Sequence, residues 1–192
     1  MNICIYGAAS RTIDDKYKKA TEELGYMLAK RGHNLVFGGG DGGLMGAAAR
    51  GFRRGNAEKI IGIAPRFFDV DGILYEDCTE IIFTGSMYER KMRFIDISDA
   101  FITVPGGIGT FDEFFENITL RSLARHDKPM ALYNEFGYYD KFIDMLQYSE
   151  KENFVDFFGD KLYRSFTEPE PLIDYIENCS REFFNRISFK AK

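Results

Sequence analysis

Ala100-Phe101-Ile102-Thr103-Val104-Pro105-Gly106-Gly107-Ile108-Gly109-Thr110-Phe111-Asp112-Glu113 reads as a buried strand, a glycine-rich loop and the first turn of a helix. Ala100 to Val104 is a short, largely apolar run stopped by proline, which suits a strand covered on both faces. The glycines then free the backbone for a tight turn, and a helix is expected from Thr110 to about Arg125. The same unit recurs in both directions. Upstream, Ile3 to Tyr6 is a strand, and a helix over about residues 14–31 carries Ala20, Leu24, Met27 and Leu28 at helical spacing until Gly32. Asn34 to Phe37 is a second strand, running into Gly38-Gly39-Gly40-Asp41-Gly42-Gly43 and a helix through Leu44, Met45, Ala47 and Ala48. Lys59 to Ala64 is a third, halted by Pro65, and an irregular stretch follows past Phe67, Phe68 and Asp71-Gly72.

Thr79 to Phe83 and Met130 to Tyr133 are further strands, with helices expected over Ser86 to about Ser98 and near Tyr139 to Lys151. Leu162 to Phe166 completes the strands, before a helix from about Pro169 to Asn185 and a frayed tail, Ser188 to Lys192. Short apolar strands alternating with helices imply parallel βαβ units. The expectation is one doubly wound α/β domain over residues 1–187, with helices on both faces of a parallel sheet. Ligands in such sheets sit beyond the carboxyl ends of the strands. The loops at Gly7, Gly38 and Pro105 are therefore the places to search.

Composition narrows the function classes. The chain has 192 residues, enough for one well-formed core, and a net charge of −5 speaks against a general nucleic-acid binder. Cys4, Cys78 and Cys179 are odd in number and far apart, and His33 and His126 stand alone, so neither a disulfide framework nor a Cys/His zinc site is expected. No apolar run is long enough to cross a bilayer, and Ile3 begins a strand without a basic leader, so a cytoplasmic location is expected. The 19 phenylalanines suit core or subunit contacts.

The two glycine loops differ. Gly38 to Gly43 contains G-x-G-x-x-G, yet the next strand ends Ile63-Ala64-Pro65 without the carboxylate a dinucleotide ribose wants. A tight strand-to-helix turn explains it equally well. Pro105 to Thr110 opens directly into a helix, where converging backbone N–H groups and the helix dipole favour an anion. Without a following lysine it suits one phosphate and not a triphosphate.

Two charged residues have two readings each. Thr110-Phe111-Asp112-Glu113 is a capping box in pattern, as are Ser86 to Glu89 and Thr167 to Glu170, so Glu113 could reach back to an N-cap amide. It also stands in the first turn of an anion-binding helix, one ribose from a bound phosphate. Arg90 could lie on a solvated face, with Glu89 pairing to Arg93. It could equally face the same ligand.

Gly38 to Gly46, Met87-Tyr88-Glu89-Arg90-Lys91 and Pro105 to Glu113 together resemble the signature of the LONELY GUY family of cytokinin riboside 5′-monophosphate phosphoribohydrolases, once labelled lysine decarboxylase-like. The similarity runs on through Arg125 to Pro129, Tyr133-Asn134 and Gly137-Tyr138-Tyr139. It implies a Rossmann-like fold, a homodimer, no metal or organic cofactor, and a nucleoside monophosphate as the partner molecule. On this resemblance Arg90 and Glu113 fall on catalytic positions, and Lys91, Gly106, Gly107, Gly109 and Thr110 on nucleotide- and phosphate-binding ones. Gly39, Gly40 and Ser10, at two other strand ends, are further substrate-binding candidates. Phe67-Phe68 and Gly7-Ala8-Ala9-Ser10 depart from the family pattern, which bears on the preferred base. Molybdenum-cofactor carriers look similar and supply a non-catalytic alternative. A pyridoxal-dependent decarboxylase would need a Schiff-base lysine that nothing here marks.

Overall fold

The apolar runs become the strands of a single sheet in the computed structural model, which describes residues 1–69, 73–155 and 159–179. Among these residues the strands are β1 (Asn2–Tyr6), β2 (Asn34–Phe37), β3 (Ile60–Pro65), β4 (Glu80–Thr84), β5 (Ala100–Thr103), β6 (Met130–Tyr133) and β7 (Arg164–Phe166). All pair in parallel, in the order β4-β3-β2-β1-β5-β6-β7. The helices are α1 (Asp15–Lys30), α2 (Gly43–Arg54), α3 (Met87–Ile97), α4 (Ile108–Ser122), α5 (Asp140–Lys151), the single turn α6 (Gly159–Leu162) and α7 (Pro169–Asn178).

Side chains alternate across a strand, and the two faces are buried separately. Ile3, Ile5, Leu35, Phe37 and Ile102 pack with Leu24 and Leu28 of α1, Phe52 of α2 and Ile173 of α7. Cys4, Tyr6, Val36, Ile63 and Phe101 pack on the other face with Phe94 of α3, Ile118 of α4 and Leu146 of α5. The doubly wound α/β expectation therefore holds. Strand order reverses between β1 and β5, and at that point the loops after two neighbouring strands turn to opposite faces and leave a crevice.

The element boundaries differ at informative places. α4 begins at Ile108 with Gly107 as its N-cap, not at Thr110, and ends at Ser122. α7 has Glu168 at its N-cap and no side-chain cap, because Pro169 takes the first helical position, where its missing N–H costs nothing. Thr167 therefore caps nothing. The last strand begins only at Arg164, residue 162 belonging to the one-turn α6. Asp71-Gly72, the helix beyond Cys179, the tail at 188–192 and the end of the 1–187 domain lie outside the described residues. Cys4 is buried, Cys78 and Cys179 are partly buried, and none of the three is in a disulfide.

Candidate active site

Val104 leaves β5 with its N–H on the Tyr6 carbonyl (2.9 Å), which keeps the loop beside β1. The Pro105 carbonyl accepts from Ala8 N–H at 3.1 Å, and the Gly106 carbonyl accepts from the Tyr138 hydroxyl at 2.7 Å. A Cβ on Gly106 would lie 2.1 Å from Thr110 Oγ1, so a side chain is excluded there, whereas Gly107 and Gly109 face open space. The backbone N–H groups from Gly106 to Thr110 make no hydrogen bond to other described residues. A helix start with several unspent donors on an open face is an anion-binding arrangement. Gly107, Ile108 and Gly109 are exposed, while Thr110 is buried beneath Gly106.

Because α4 starts at Ile108, Glu113 sits in its second turn and cannot serve as a cap. The capping reading fails on that geometry. Glu113 Oε1 instead accepts from Arg90 Nη1 at 2.9 Å, with the two side chains 14% and 8% exposed. Burial pushes the Glu113 carboxyl above its ordinary range, and the Arg90 charge only partly pulls it back. Glu113 Oε2 makes no hydrogen bond among the described residues, so one oxygen is anchored and the other is available.

α3 delivers Arg90. Ser86 caps this helix, accepting from Glu89 N–H at 3.1 Å, and Glu89 Oε2 accepts from Gly85 N–H at 2.7 Å. The capping box expected at Ser86 is thus present, displaced by one residue on its return bond. Arg90 is no solvated side chain. Its Nε donates to the Ile63 carbonyl at 2.9 Å, and its guanidinium lies 4.7 Å over the Phe94 ring. Gly38 makes room for it, since a Cβ there would sit 2.5 Å from Arg90 Nη2. The loop after β2, the strand β3 and the helices after β4 and β5 therefore converge on one ion pair.

The other expected residues are more dispersed. Lys91 forms ion pairs with Glu116 (2.8 Å) and Asp112 (3.3 Å) of α4, which raise its pKa and tie α3 to α4. Gly39, at φ +78°, gives its carbonyl to Tyr75 N–H (2.8 Å), and Gly40 bridges Leu74, so both belong to a loop covered by the segment before β4. Ser10 is exposed in the β1–α1 turn, its Oγ 3.0 Å from Thr12 Oγ1. Sequence reasoning marked the Gly38 loop but gave Gly38 no role of its own, and it missed Asn117, whose Nδ2 donates to the Tyr6 hydroxyl (2.9 Å) and to the Glu113 carbonyl (3.1 Å). Helical spacing was the available signal, because Asn117 lies one turn beyond Glu113 on the same face. No group of three or more His, Cys, Asp or Glu among the described residues is placed to hold a metal, and no described helix is long and apolar enough to cross a membrane.

Comparison with known proteins identifies the family and the fold. A family profile described as "Possible lysine decarboxylase" matches residues 45–176. The cytokinin riboside 5′-monophosphate phosphoribohydrolase LOG of Oryza sativa subsp. japonica is 36% identical over 153 residues, covering 80% of this chain and 63% of that protein. An enzyme of the same name in Arabidopsis thaliana is 32% identical over 178 residues, covering 93% of this chain and 82% of its own length. The chain thus spans less than two thirds of the rice relative and most of the Arabidopsis one. Among solved structures, the molybdenum cofactor binding protein of Rippkaea orientalis superposes with a TM-score of 0.70 at 21% identity, over 92% of this chain and 94% of that one. The Moco carrier protein of Chlamydomonas reinhardtii gives 0.67 at 22%, over 92% and 94%. At such identities the likeness establishes the fold.

Proposed function

The chain belongs to the LONELY GUY family, and on that premise we propose that it hydrolyses the N-glycosidic bond of a nucleoside 5′-monophosphate, a cytokinin riboside monophosphate or AMP, to free base and ribose 5-phosphate. The observation that carries this reading is the buried Arg90–Glu113 pair, set one turn along α4 from the open amides of Gly107 to Thr110. The amides hold the 5′-phosphate, so its binding energy is available to align the ribose. Positive charge grows on the sugar as the C1′–N bond breaks, in an oxocarbenium-like transition state. Glu113 offers its free oxygen to that charge and takes the proton of the water that adds to C1′. The base leaves with the bonding electron pair and takes up one proton, balanced by the one that Glu113 removed from the water and gives up again, so a single water is consumed and the carboxylate is restored. Arg90 keeps the carboxylate aimed and presents its remaining N–H groups to the ribose hydroxyls.

Lys91, Gly39, Gly40 and Ser10 are the further nucleotide contacts in this reading, Lys91 as the neighbour of Arg90 on α3 and the others in the loops that follow β2 and β1. The working unit is a cytoplasmic homodimer. Met87 and Tyr88 of α3 and Ile108 and Phe115 of α4 support a second copy, since these apolar side chains stand exposed in the single chain. The fold shared with molybdenum-cofactor carriers favours one rival, a non-catalytic binder. Pure binding has no need of a carboxylate held beside a phosphate site by a buried arginine.

Chromatographic product analysis with AMP, adenosine and isopentenyladenosine monophosphate separates the two. Free base is expected from the monophosphates alone, lost in Glu113→Gln. Binding of the nucleotides without any release of base would replace the enzyme with the carrier.

A further inference from the structure

The β6–α5 turn reaches across to the phosphate loop, and its geometry has a consequence for the amides there. Asn134 organises the turn, accepting from Tyr139 N–H at 2.6 Å and donating to Asp140 at 2.8 Å. Phe136 and Gly137 both take positive φ, +62° and +69°, and a Cβ on Gly137 would lie 2.6 Å from Asp140 Oδ2. Such a turn is costly for a phenylalanine and is kept only when its surroundings over-determine it. Its product is a pair of adjacent tyrosines aimed at adjacent parts of one loop. The Tyr139 hydroxyl donates to the Val104 carbonyl and the Tyr138 hydroxyl to the Gly106 carbonyl, each at 2.7 Å.

In a planar trans peptide the carbonyl and the following N–H point in opposite directions. Holding the Gly106 carbonyl therefore aims the Gly107 N–H the other way, and at exposed Gly107 that N–H has no partner among the described residues. The peptide before it is held in the same manner from the other neighbour, since the Pro105 carbonyl accepts from Ala8 N–H. β5 lies between β1 and β6, so each flanking strand sends its following loop to fix one of two successive peptide planes. A donor on a carbonyl also polarises its peptide, making the opposite N–H a stronger donor.

We propose that Tyr138 is a positioning residue for phosphate: its hydroxyl clamps the Gly106–Gly107 peptide so that the Gly107 amide is presented to the 5′-phosphate. The proposal rests on the phosphate-loop reading above and deepens it. It assigns Tyr138 no contact with the reacting atoms.

Tyr138→Phe removes the hydroxyl and keeps the ring. Tyr17→Phe is the matched control, because Tyr17 packs against Tyr138 and Phe136 while its hydroxyl makes no hydrogen bond among the described residues. Three readings are taken on each protein: inorganic phosphate affinity by calorimetry, steady-state hydrolysis of AMP, and melting temperature. Tyr138→Phe is expected to weaken phosphate binding and raise KM for AMP by the same factor, about fivefold to tenfold, the worth of one good hydrogen bond. kcat should stay within about twofold, since the carboxylate is untouched. Tyr17→Phe should change neither. Unaltered phosphate affinity in Tyr138→Phe, or a fall in kcat with KM unmoved, would overturn the clamp. Should the wild-type protein release no base yet bind phosphate, the hydrolase reading falls and the calorimetric comparison still decides the clamp. A wild-type protein that binds no phosphate sinks the clamp, and release of base from AMP still decides the hydrolase.

Discussion

Gly38→Ala tests whether the Arg90–Glu113 pair has to be where it is. Gly38 carries no positive φ, so alanine is allowed by the backbone and slightly stiffens the unfolded chain. The new Cβ would lie 2.5 Å from Arg90 Nη2 and 2.9 Å from Met45 Sδ, where ordinary contact begins near 3.4 Å. Met45 is flexible enough to step aside. The guanidinium has less freedom, because its Nε is bonded to the Ile63 carbonyl and its plane lies over Phe94. It must nevertheless move by about 1 Å, and Nη1, in the same rigid plane, moves off Glu113. A misplacement of that order in a catalytic constellation costs roughly 100-fold in rate, or about 2.7 kcal/mol of transition-state stabilisation. The assay is kcat/KM for AMP, read beside the melting temperature and inorganic phosphate affinity. The expected result is a roughly 100-fold loss of kcat/KM with phosphate affinity held and a stability loss no larger than overpacking brings, about 1–3 kcal/mol. A Gly38→Ala protein within about threefold of wild type would refute the idea that this pair's geometry governs the chemistry.

The pH dependence follows from the sign of the Glu113 shift. Its folded pKa is raised above the ordinary 4.5 by burial, so kcat/KM should climb with pH around a midpoint above 4.5, and in residual Arg90→Gln activity that midpoint should move higher still. The same raised pKa makes Glu113 erode stability as pH rises from 4.5 through its folded value; a midpoint at or below 4.5 in the wild-type profile would contradict the assignment. The two kinds of glycine in the phosphate loop should part company: Gly106→Ala drives a Cβ to 2.1 Å from Thr110 Oγ1 and 2.5 Å from its Cβ, losing about 1–3 kcal/mol in a denaturant melt. Gly109→Ala meets nothing within 4 Å, so it should melt like wild type and lose phosphate affinity alone.

Strands β1 to β5 were legible because each is a short, mostly apolar run closed by glycine or proline, a signal contained within the run itself. Their order was not, since nothing in Ile3 to Tyr6 says that Ala100 will lie beside it; that pairing comes from packing over long separations. Helix starts were misread where a better cap in principle stood near the true one. Thr110 opens a capping-box pattern that Gly107 lacks, yet Thr110 is held beneath Gly106 inside the first turn, and the helix begins two residues earlier. Thr167 lost to Pro169 for a similar reason. Arg90 and Glu113 were identified by motif, but their separate roles as surface charge or cap could be rejected only when the Ile63 carbonyl, the Phe94 ring and Gly38 were seen around them. Tyr138 stood inside a recognised stretch with no role, because its partner lies on the neighbouring βα loop.

Stability alone is a poor reason for the Arg90–Glu113 pair. Taking two charges out of water costs several kcal/mol per ion, and an apolar pair of like volume is often as stable or more so. Here the balance is visible at one partner: even with a guanidinium at 2.9 Å, the Glu113 carboxyl stays above its ordinary pKa, so burial outweighs the attraction. At neutral pH the fold therefore bears a net cost for an ionised Glu113. Arg90 is meanwhile over-determined, by a backbone carbonyl, an aromatic face and the space left by a glycine. A destabilised carboxylate with one oxygen anchored by an immobilised cation and the other unspent is what charge stabilisation at a sugar carbon calls for, and a tie that only joined α3 to α4 would need neither feature.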